Sequence, residues 1–172
     1  MSKRNPNIAI HRHSLELLDD TERARAARRG EVVHLALGSL RGPADRAAIE
    51  RAVARALARL DLDPAEWKIA EHFVAPLAGA LALDRMREWF SPSAVSLSEA
   101  AIADAKGDVY RPDRVVVSPS AVDVIDFKVG HREDAHVTQV ANYVALLAEV
   151  FRNRKVAGWL VYVDEPAIVE VK

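Results

Sequence analysis

Two acidic residues occupy unusual places at predicted strands. Asp113 lies at the start of the apolar run 115–117, and Asp126 directly follows Val124 and Ile125. Carboxylates beside buried strand segments are costly to desolvate, so they are seldom buried unless they are paired, hydrogen-bonded or bound to a cation. Two of them on neighbouring antiparallel strands can converge on one point, which suits a hard divalent cation with oxygen ligands.

A lysine accompanies the second acidic residue. Lys128 lies two positions after Asp126 and therefore, by the two-residue period of a strand, on the same face of the sheet. An ammonium group beside two carboxylates and a metal can hold an attacking water or stabilise charge developing on a phosphate. The alternative is an ordinary same-face ion pair at a strand end. A D-x-K triplet alone does not separate the two, because short motif matches are common.

The wider pattern favours the chemical interpretation. The sequence reads PD at 112–113, DFK at 126–128, QVANY at 139–143 and, upstream, GEVVH at 30–34. Together these resemble the motifs of the PD-(D/E)XK nucleases, specifically the RecB-like branch with its G-x-x-x-H helix motif. The resemblance implies a restriction-endonuclease-like α/β core, an α+β mixed sheet flanked by helices, with an N-terminal helical portion.

The resemblance also implies roles for single residues. The histidine and the two acidic residues would bind Mg²⁺ or Mn²⁺, and the lysine would be catalytic. The Gln and Tyr of the QVANY segment, one helical turn apart and on one side of a helix, would shape the site and contact DNA. The expected metal ligands are His34, Asp113 and Asp126, and the expected catalytic residues are Asp113, Asp126, Lys128, Gln139 and Tyr143.

The implied activity is metal-dependent hydrolysis of DNA phosphodiester bonds. The RecB-like branch suggests an exonuclease of DNA recombination or repair, acting alone or as the nuclease part of a helicase-nuclease. The chain has no G-x-x-x-x-G-K-[ST] phosphate loop, so we expect any helicase motor in a partner or parent chain. The rival hypothesis is a catalytically silent module of the same fold that binds DNA or acts as a scaffold.

Some residues leave alternatives open. Glu99, on the strand before Asp113, is either an outer ligand or a polar residue on an exposed strand face. His72 competes with His34, which we prefer because its spacing from a preceding glycine matches the motif. His131 and His136 either reach the phosphate backbone or are ordinary surface histidines.

Charge is unevenly distributed along the chain. The net charge is -1, which gives no global sign of a polyanion-binding protein, but residues 1–60 hold twelve Lys or Arg against seven Asp or Glu. Any DNA-facing surface is therefore expected in this first third. Arg23, Arg25, Arg28 and Arg29 precede the motif histidine on one predicted helix and are candidates for guiding the backbone; a solvated helix face is the alternative.

Length and composition set the general class. The 172 residues, 50% of them hydrophobic, predict one domain (1–172), with a mainly helical portion at 1–92 and a catalytic sheet and helix core at 93–172. The lack of cysteine excludes disulfides, thiolate metal sites and cysteine nucleophiles. No apolar run approaches the roughly 18 residues of a membrane span, so a cytoplasmic location without a membrane partner is expected.

The periodicity of apolar residues predicts helices first and strands later. Helix-start signals lie at Asp19 or Asp20 and at Asp63-Pro64, with a break expected near Pro76 or Gly79. A hairpin turn is expected at 106–108. The predicted helices are 20–40, 44–60, 63–89 and about 133–152, and the predicted strands are 94–104, 109–117, 122–129, 159–163 and 168–171.

Overall fold

The N-terminal part of the chain is helical in the computed structural model, which describes residues 20–98, 101–104, 106–130 and 134–171. Helix α1 (Asp20–Ser39) and helix α2 (Arg46–Arg59) lie where the sequence predicts them. The carboxylate of Asp45 caps α2 by accepting a hydrogen bond from Ala48 N at 2.7 Å. No helix in the described part of the chain is long and apolar enough to cross a membrane.

The prediction of a helix over residues 63–89 with a break near Pro76 or Gly79 is wrong in the position and number of its breaks, because this segment forms four short pieces. They are a 3₁₀ turn (Pro64–Glu66), a π-helical turn (Ala70–Val74), helix α3 (Ala75–Leu81) and helix α4 (Asp84–Trp89). Pro76 does not break the helix, since it stands in the first turn of α3, where its missing N–H has little consequence. The chain instead leaves the helical conformation at Leu83, which is extended.

The second half forms strands around one long helix. The predicted strand 109–117 is divided, because Val109–Tyr110 pairs with Ile102–Ala103 in a separate ribbon. Pro112, which has no N–H to donate, lies between the two pieces. The hairpin turn at 106–108 is confirmed, with Gly107 at φ 82°. The elements are β1 (Val95–Ser98), β2 (Ile102–Ala103), β3 (Val109–Tyr110), β4 (Arg114–Val117), β5 (Ala121–Lys128), α5 (Asp134–Val150), β6 (Lys155–Tyr162) and β7 (Ala167–Val171).

The main sheet is mixed and has the order β1-β4-β5-β6-β7. Neighbouring strands are antiparallel except β5 and β6, which are parallel and are joined through the crossover helix α5. The β4–β5 register places Arg114 opposite Ile125, so the next pair outward is Asp113 opposite Asp126. The expected mixed sheet flanked by helices is confirmed, and its register brings the two acidic residues to the same edge.

Each face of the sheet packs against helices. The face that carries Ile125 and Phe127 packs against the N-terminal helices in the larger apolar core. The opposite face carries Val122 and Val124 and packs against α5. Because side chains alternate along β5, Asp126 and Lys128 point towards α5, where Gln139 and Tyr143 lie.

Candidate active site

Asp113 is held between a helix and the neighbouring strand. Its Oδ1 lies 3.0 Å from Nδ1 of His34 on α1, although the two residues are 79 positions apart in the chain. Its Oδ2 accepts a hydrogen bond from Phe127 N on β5 at 2.7 Å. Both carboxylate oxygens therefore have defined partners, and His34 faces this carboxylate as the motif predicts.

Asp126 and Lys128 begin a chain of polar contacts that ends on α5. Lys128 Nζ lies 2.6 Å from Asp126 Oδ2 and donates a hydrogen bond to Gln139 Oε1 at 2.9 Å. Gln139 in turn donates through Nε2 to the hydroxyl of Tyr143 at 2.8 Å. The one-turn spacing of Gln139 and Tyr143 on α5 makes the last contact possible. The ammonium group is thus fixed in place by two elements.

Burial makes the charges of this cluster interact strongly. Asp126 is 2% exposed and Lys128 is 8% exposed. Burial raises the pKa of Asp126, and the nearby Asp113 carboxylate raises it further, although Lys128 acts in the opposite direction. Two carboxylates with their negative charges so placed form a site that favours an added cation.

The histidine and the tyrosine respond to the same surroundings. Burial, the largest effect, would lower the pKa of His34, but the Asp113 charge, the hydrogen bond to it and the Asp126 charge outweigh burial and raise that pKa. Burial raises the pKa of Tyr143 to about 12. Tyr143 is therefore a neutral phenol near neutral pH, suited to hydrogen bonding and not to proton transfer.

The donor set fits a hard divalent cation in its chemistry. Carboxylate oxygen and imidazole nitrogen both suit Mn²⁺, and carboxylate oxygen suits Mg²⁺. Within the described residues, no group of three His, Cys, Asp or Glu side chains has the arrangement of a complete metal site. Mg²⁺ needs only one or two carboxylates from the protein, because water and substrate phosphates supply its other ligands. Asp113 and Asp126 meet that smaller requirement.

The remaining candidate residues divide into three groups. Glu99 and His131 lie outside the described residues. The ring of His72 lies edge-on to Trp67, with 6.2 Å between the centroids, whereas His34 contacts Asp113, which supports the choice of His34. His136 is 3% exposed, so its interpretation as a surface histidine is wrong.

The four arginines of α1 do not form a free basic face. Arg23 lies 3.5 Å from Asp20, and Arg28 lies 2.9 Å from Glu31. Arg25 donates to the Glu66 carbonyl at 2.8 Å and lies over the ring of Trp67. Arg29 donates through Nε to the His72 carbonyl at 3.1 Å and through Nη1 to Asp164 at 2.9 Å. The structure gives each of these side chains a partner within the protein.

One structurally important residue beside the site was missed in the sequence. Arg114, next to Asp113, is 1% exposed and donates hydrogen bonds to the Leu40 carbonyl and to Ser96 Oγ. Burial, aided by the charge of Arg41, lowers the pKa of Arg114 to about 10, so it remains a cation near neutral pH. It ties the end of α1 to the start of β4. The two-residue period of β4, which places Arg114 on the same face as Val116, was the available signal.

Among the comparisons with known proteins, the match to a family model is the informative one. A family model described as the PD-(D/E)XK nuclease superfamily matches residues 6–171. None of the curated proteins compared with this chain matches it. A crystal structure of the protein SSO0001 is similar at 18% identity, over 88% of this chain and 77% of that one, with a TM-score of 0.34. That score is too low to support an argument, so the family match is the informative result.

Proposed function

Since this chain belongs to the PD-(D/E)XK nuclease superfamily, we propose that it is a metal-dependent nuclease that hydrolyses phosphodiester bonds of DNA. Members of this superfamily are generally nucleases and typically use divalent metals. The observation that carries the proposal is the close approach of His34 to Asp113 beside the Asp126 and Lys128 pair. His34 lies on helix α1, 79 positions before Asp113. Asp113 directly precedes β4, and Asp126 and Lys128 lie on β5.

The chain's own residues have separable parts in the proposed reaction. Asp113 and Asp126, with His34, would hold Mg²⁺ or Mn²⁺. The cation supplies a Lewis acid and an activated water for in-line attack on phosphorus. Lys128, beside Asp126, would offset the charge that develops on the phosphate. Gln139 holds that ammonium through its carbonyl oxygen, and it is itself held by Tyr143.

The biological setting is part of the same proposal. The RecB-like motifs favour an exonuclease that acts in DNA recombination or repair in the cytoplasm. The enzyme would work alone or as the nuclease part of a helicase-nuclease, with the motor in a partner or parent chain. Copurification of a helicase with the endogenous protein would support the second arrangement.

The direct test is cleavage of labelled single- and double-stranded DNA with Mg²⁺ or Mn²⁺. Lys128→Ala is expected to lower the cleavage rate by about 10²–10³, the range seen when one group that stabilises developing charge is removed. Lys155→Ala is the matched control, because Lys155 is an exposed lysine at the start of β6, and it should cleave at the wild-type rate. Circular dichroism establishes that both variants are folded.

The outcomes separate the enzyme from its rival. Cleavage that depends on both the metal and Lys128 supports the nuclease. DNA binding by the wild-type protein without cleavage under any of these conditions would contradict the proposal and favour the catalytically silent scaffold module.

A further inference from the structure

Helix α2 carries three exposed arginines that have no counter-ion among the described residues. Arg51, Arg55 and Arg59 are all exposed. In the described part of the chain no carboxylate lies within ion-pair distance of any of them, whereas Arg46 at the start of the same helix pairs with Glu50 at 2.9 Å. Glu50 is the only acidic residue of α2, so its negative charge is already engaged. The three arginines form a cationic row.

The row differs from the arginines of α1. Those side chains are occupied by carboxylates, carbonyls or an aromatic ring, as Arg29 is by Asp164 and the His72 carbonyl. A guanidinium with such partners must give them up before it binds a phosphate. The arginines of the row have no such partners among the described residues to give up. The basic surface was expected on α1, and the structure indicates α2 instead.

The spacing of the row suits an extended polyanion. At 100° and 1.5 Å per residue, positions four apart lie about 6 Å from one another along the axis and turn by only about 40°. The three arginines therefore occupy a narrow stripe about 12 Å long. Along the axis of duplex DNA the phosphates of one strand rise about 3.4 Å each, so every second phosphate is displaced by about 6.8 Å in that direction. A stripe of this spacing matches a phosphate backbone better than it matches one small anion.

The row stands beside the helix that carries the candidate site. The opposite face of α2, with Val53 and Leu57, packs in the same core as Val32 and Val33 of α1, close in sequence to His34. A nucleic acid strand bound along α2 would therefore lie one helix away from that histidine. The whole chain has a net charge of -1, so attraction to DNA has to come from a local feature such as this row.

We propose that Arg51, Arg55 and Arg59 bind the phosphate backbone of the DNA substrate outside the catalytic site. This inference rests on the proposed nuclease function and names the surface that holds the substrate. Because the contacts are to phosphates, they contribute affinity without sequence preference. The row is a binding surface and takes no part in the chemical step.

The test is the salt dependence of DNA binding by the full chain, measured by fluorescence anisotropy in EDTA so that no cleavage occurs. The triple variant Arg51→Gln, Arg55→Gln, Arg59→Gln keeps good helix-forming residues. Loss of three phosphate contacts should reduce the slope of log K against log salt by about 2.7 for duplex and about 2.1 for single strands. At 100 mM salt the affinity should fall by at least about tenfold.

The matched control removes three other exposed arginines, Arg46, Arg87 and Arg152, by the same substitution. Two of these pair with carboxylates, and Arg152 donates to a carbonyl. The control changes the net charge equally, so a purely global effect of charge would lower affinity in both variants. The proposal predicts that the slope changes in the row variant alone.

Cleavage of the same DNA by the wild-type protein in Mn²⁺ separates this inference from the proposed function. DNA binding that depends on the row, without cleavage, would contradict the proposed nuclease function and support the proposed binding surface. Three results would overturn the proposed binding surface. They are an unchanged salt slope in the row variant, an equal loss of affinity in the control variant, and no DNA binding by the wild-type protein. In those cases an acidic protein becomes the better candidate for the partner that binds the arginine row of α2.

Discussion

Gln139 is the residue that connects the candidate catalytic lysine to helix α5. Its carbonyl oxygen accepts from Lys128 and its amide donates to Tyr143, so one side chain orients the ammonium and is itself oriented. A supporting contact of this kind orients the group that touches the substrate, and its loss typically costs about 10- to 100-fold.

The first prediction compares the two members of this connection. Gln139→Leu removes both hydrogen bonds and should lower the cleavage rate by about 10- to 100-fold. Tyr143→Phe removes only the last hydroxyl, keeps Gln139 beside Lys128 and should cost less than about tenfold. Single-turnover cleavage rates of the two variants check the order. A Tyr143→Phe defect as large as that of Gln139→Leu would mean that the hydroxyl acts directly on the substrate.

The second prediction concerns the metal. If a divalent cation binds at Asp113 and Asp126, Mn²⁺ at about one hundred times its Kd should stabilise the folded protein by about 2.7 kcal/mol. For a chain of this size that corresponds to a rise in Tm of roughly 5–10 °C. Asp126→Asn should abolish the rise, while the exposed Glu50→Gln should keep it. Differential scanning calorimetry measures both, and an equal rise in Asp126→Asn would locate the metal elsewhere.

At the scale of elements, the contact between α5 and β6 decides where Gln139 stands. Gly158 on β6 faces α5, and a Cβ at this position would lie 2.6 Å from Val140 Cγ1 and 2.7 Å from Val144 Cγ2. Both neighbours are β-branched and stiff, so they have little freedom to move aside. Only glycine lets the helix approach the sheet this closely.

The third prediction follows from that close approach. Gly158→Ala should destabilise the protein by about 1–3 kcal/mol through overpacking. It should also lower cleavage, because α5 would move Gln139 away from Lys128. Gly30→Ala is the control: a Cβ there meets nothing within 4 Å, and the change should stabilise helix α1 by up to about 1 kcal/mol. Urea denaturation gives both free energies, and a Gly158→Ala variant of wild-type stability and activity would contradict the argument.

The clamp between Arg29 and Asp164 joins elements that no local pattern connects. Asp164 follows β6, and it also accepts a hydrogen bond from Gly130 N at 2.8 Å, two residues beyond Lys128. Arg29 precedes His34 on α1. The ion pair therefore fixes the helix that carries the histidine to the end of the strand that carries the lysine.

At the scale of the whole molecule, the helical and sheet portions share one core. The larger apolar cluster includes Leu37 and Leu57 from the N-terminal helices and Ile125 and Val161 from the sheet. Burial on this scale is the main force that holds the two portions together. That residues 1–172 form one domain stays a prediction, and the shared core of the described residues suggests how to test it.

The fourth prediction tests this shared core. Leu57→Ala, on a fully buried side chain of α2, should cost about 2–5 kcal/mol. The test uses a protein in which Trp67 and Trp89 of the helical portion are replaced by Phe, so that the remaining tryptophan, Trp159 on β6, reports on the sheet. Unfolding of Leu57→Ala in this background should remain a single transition, with helical circular dichroism and tryptophan fluorescence changing together. Loss of the helical signal at a lower denaturant concentration than the fluorescence change would indicate two independent units.

Part of this organisation could be predicted from local patterns. A candidate capping aspartate and apolar spacing predicted α1, apolar spacing predicted α2, and the strand period placed Asp126 and Lys128 on one face. The motif match also predicted the superfamily, which the family comparison confirms. The roles of the candidate site residues remain predictions until cleavage is measured. The positions of the breaks inside 63–89 and the division of 109–117 were not predicted, because propensity is a weak guide where short pieces are held by distant packing.

By itself, the sequence determined which residues share one face of a helix or strand, since helical and strand periods depend on neighbours a few residues apart. Only the tertiary structure decided which distant groups meet. The contact of His34 with Asp113, the burial of Arg114 without a carboxylate partner among the described residues, and the partners of the α1 arginines all depend on packing between separate elements. The arginines of α2 that have no partner among the described residues became distinguishable for the same reason, because the partners of a guanidinium are known only when its neighbours in space are known.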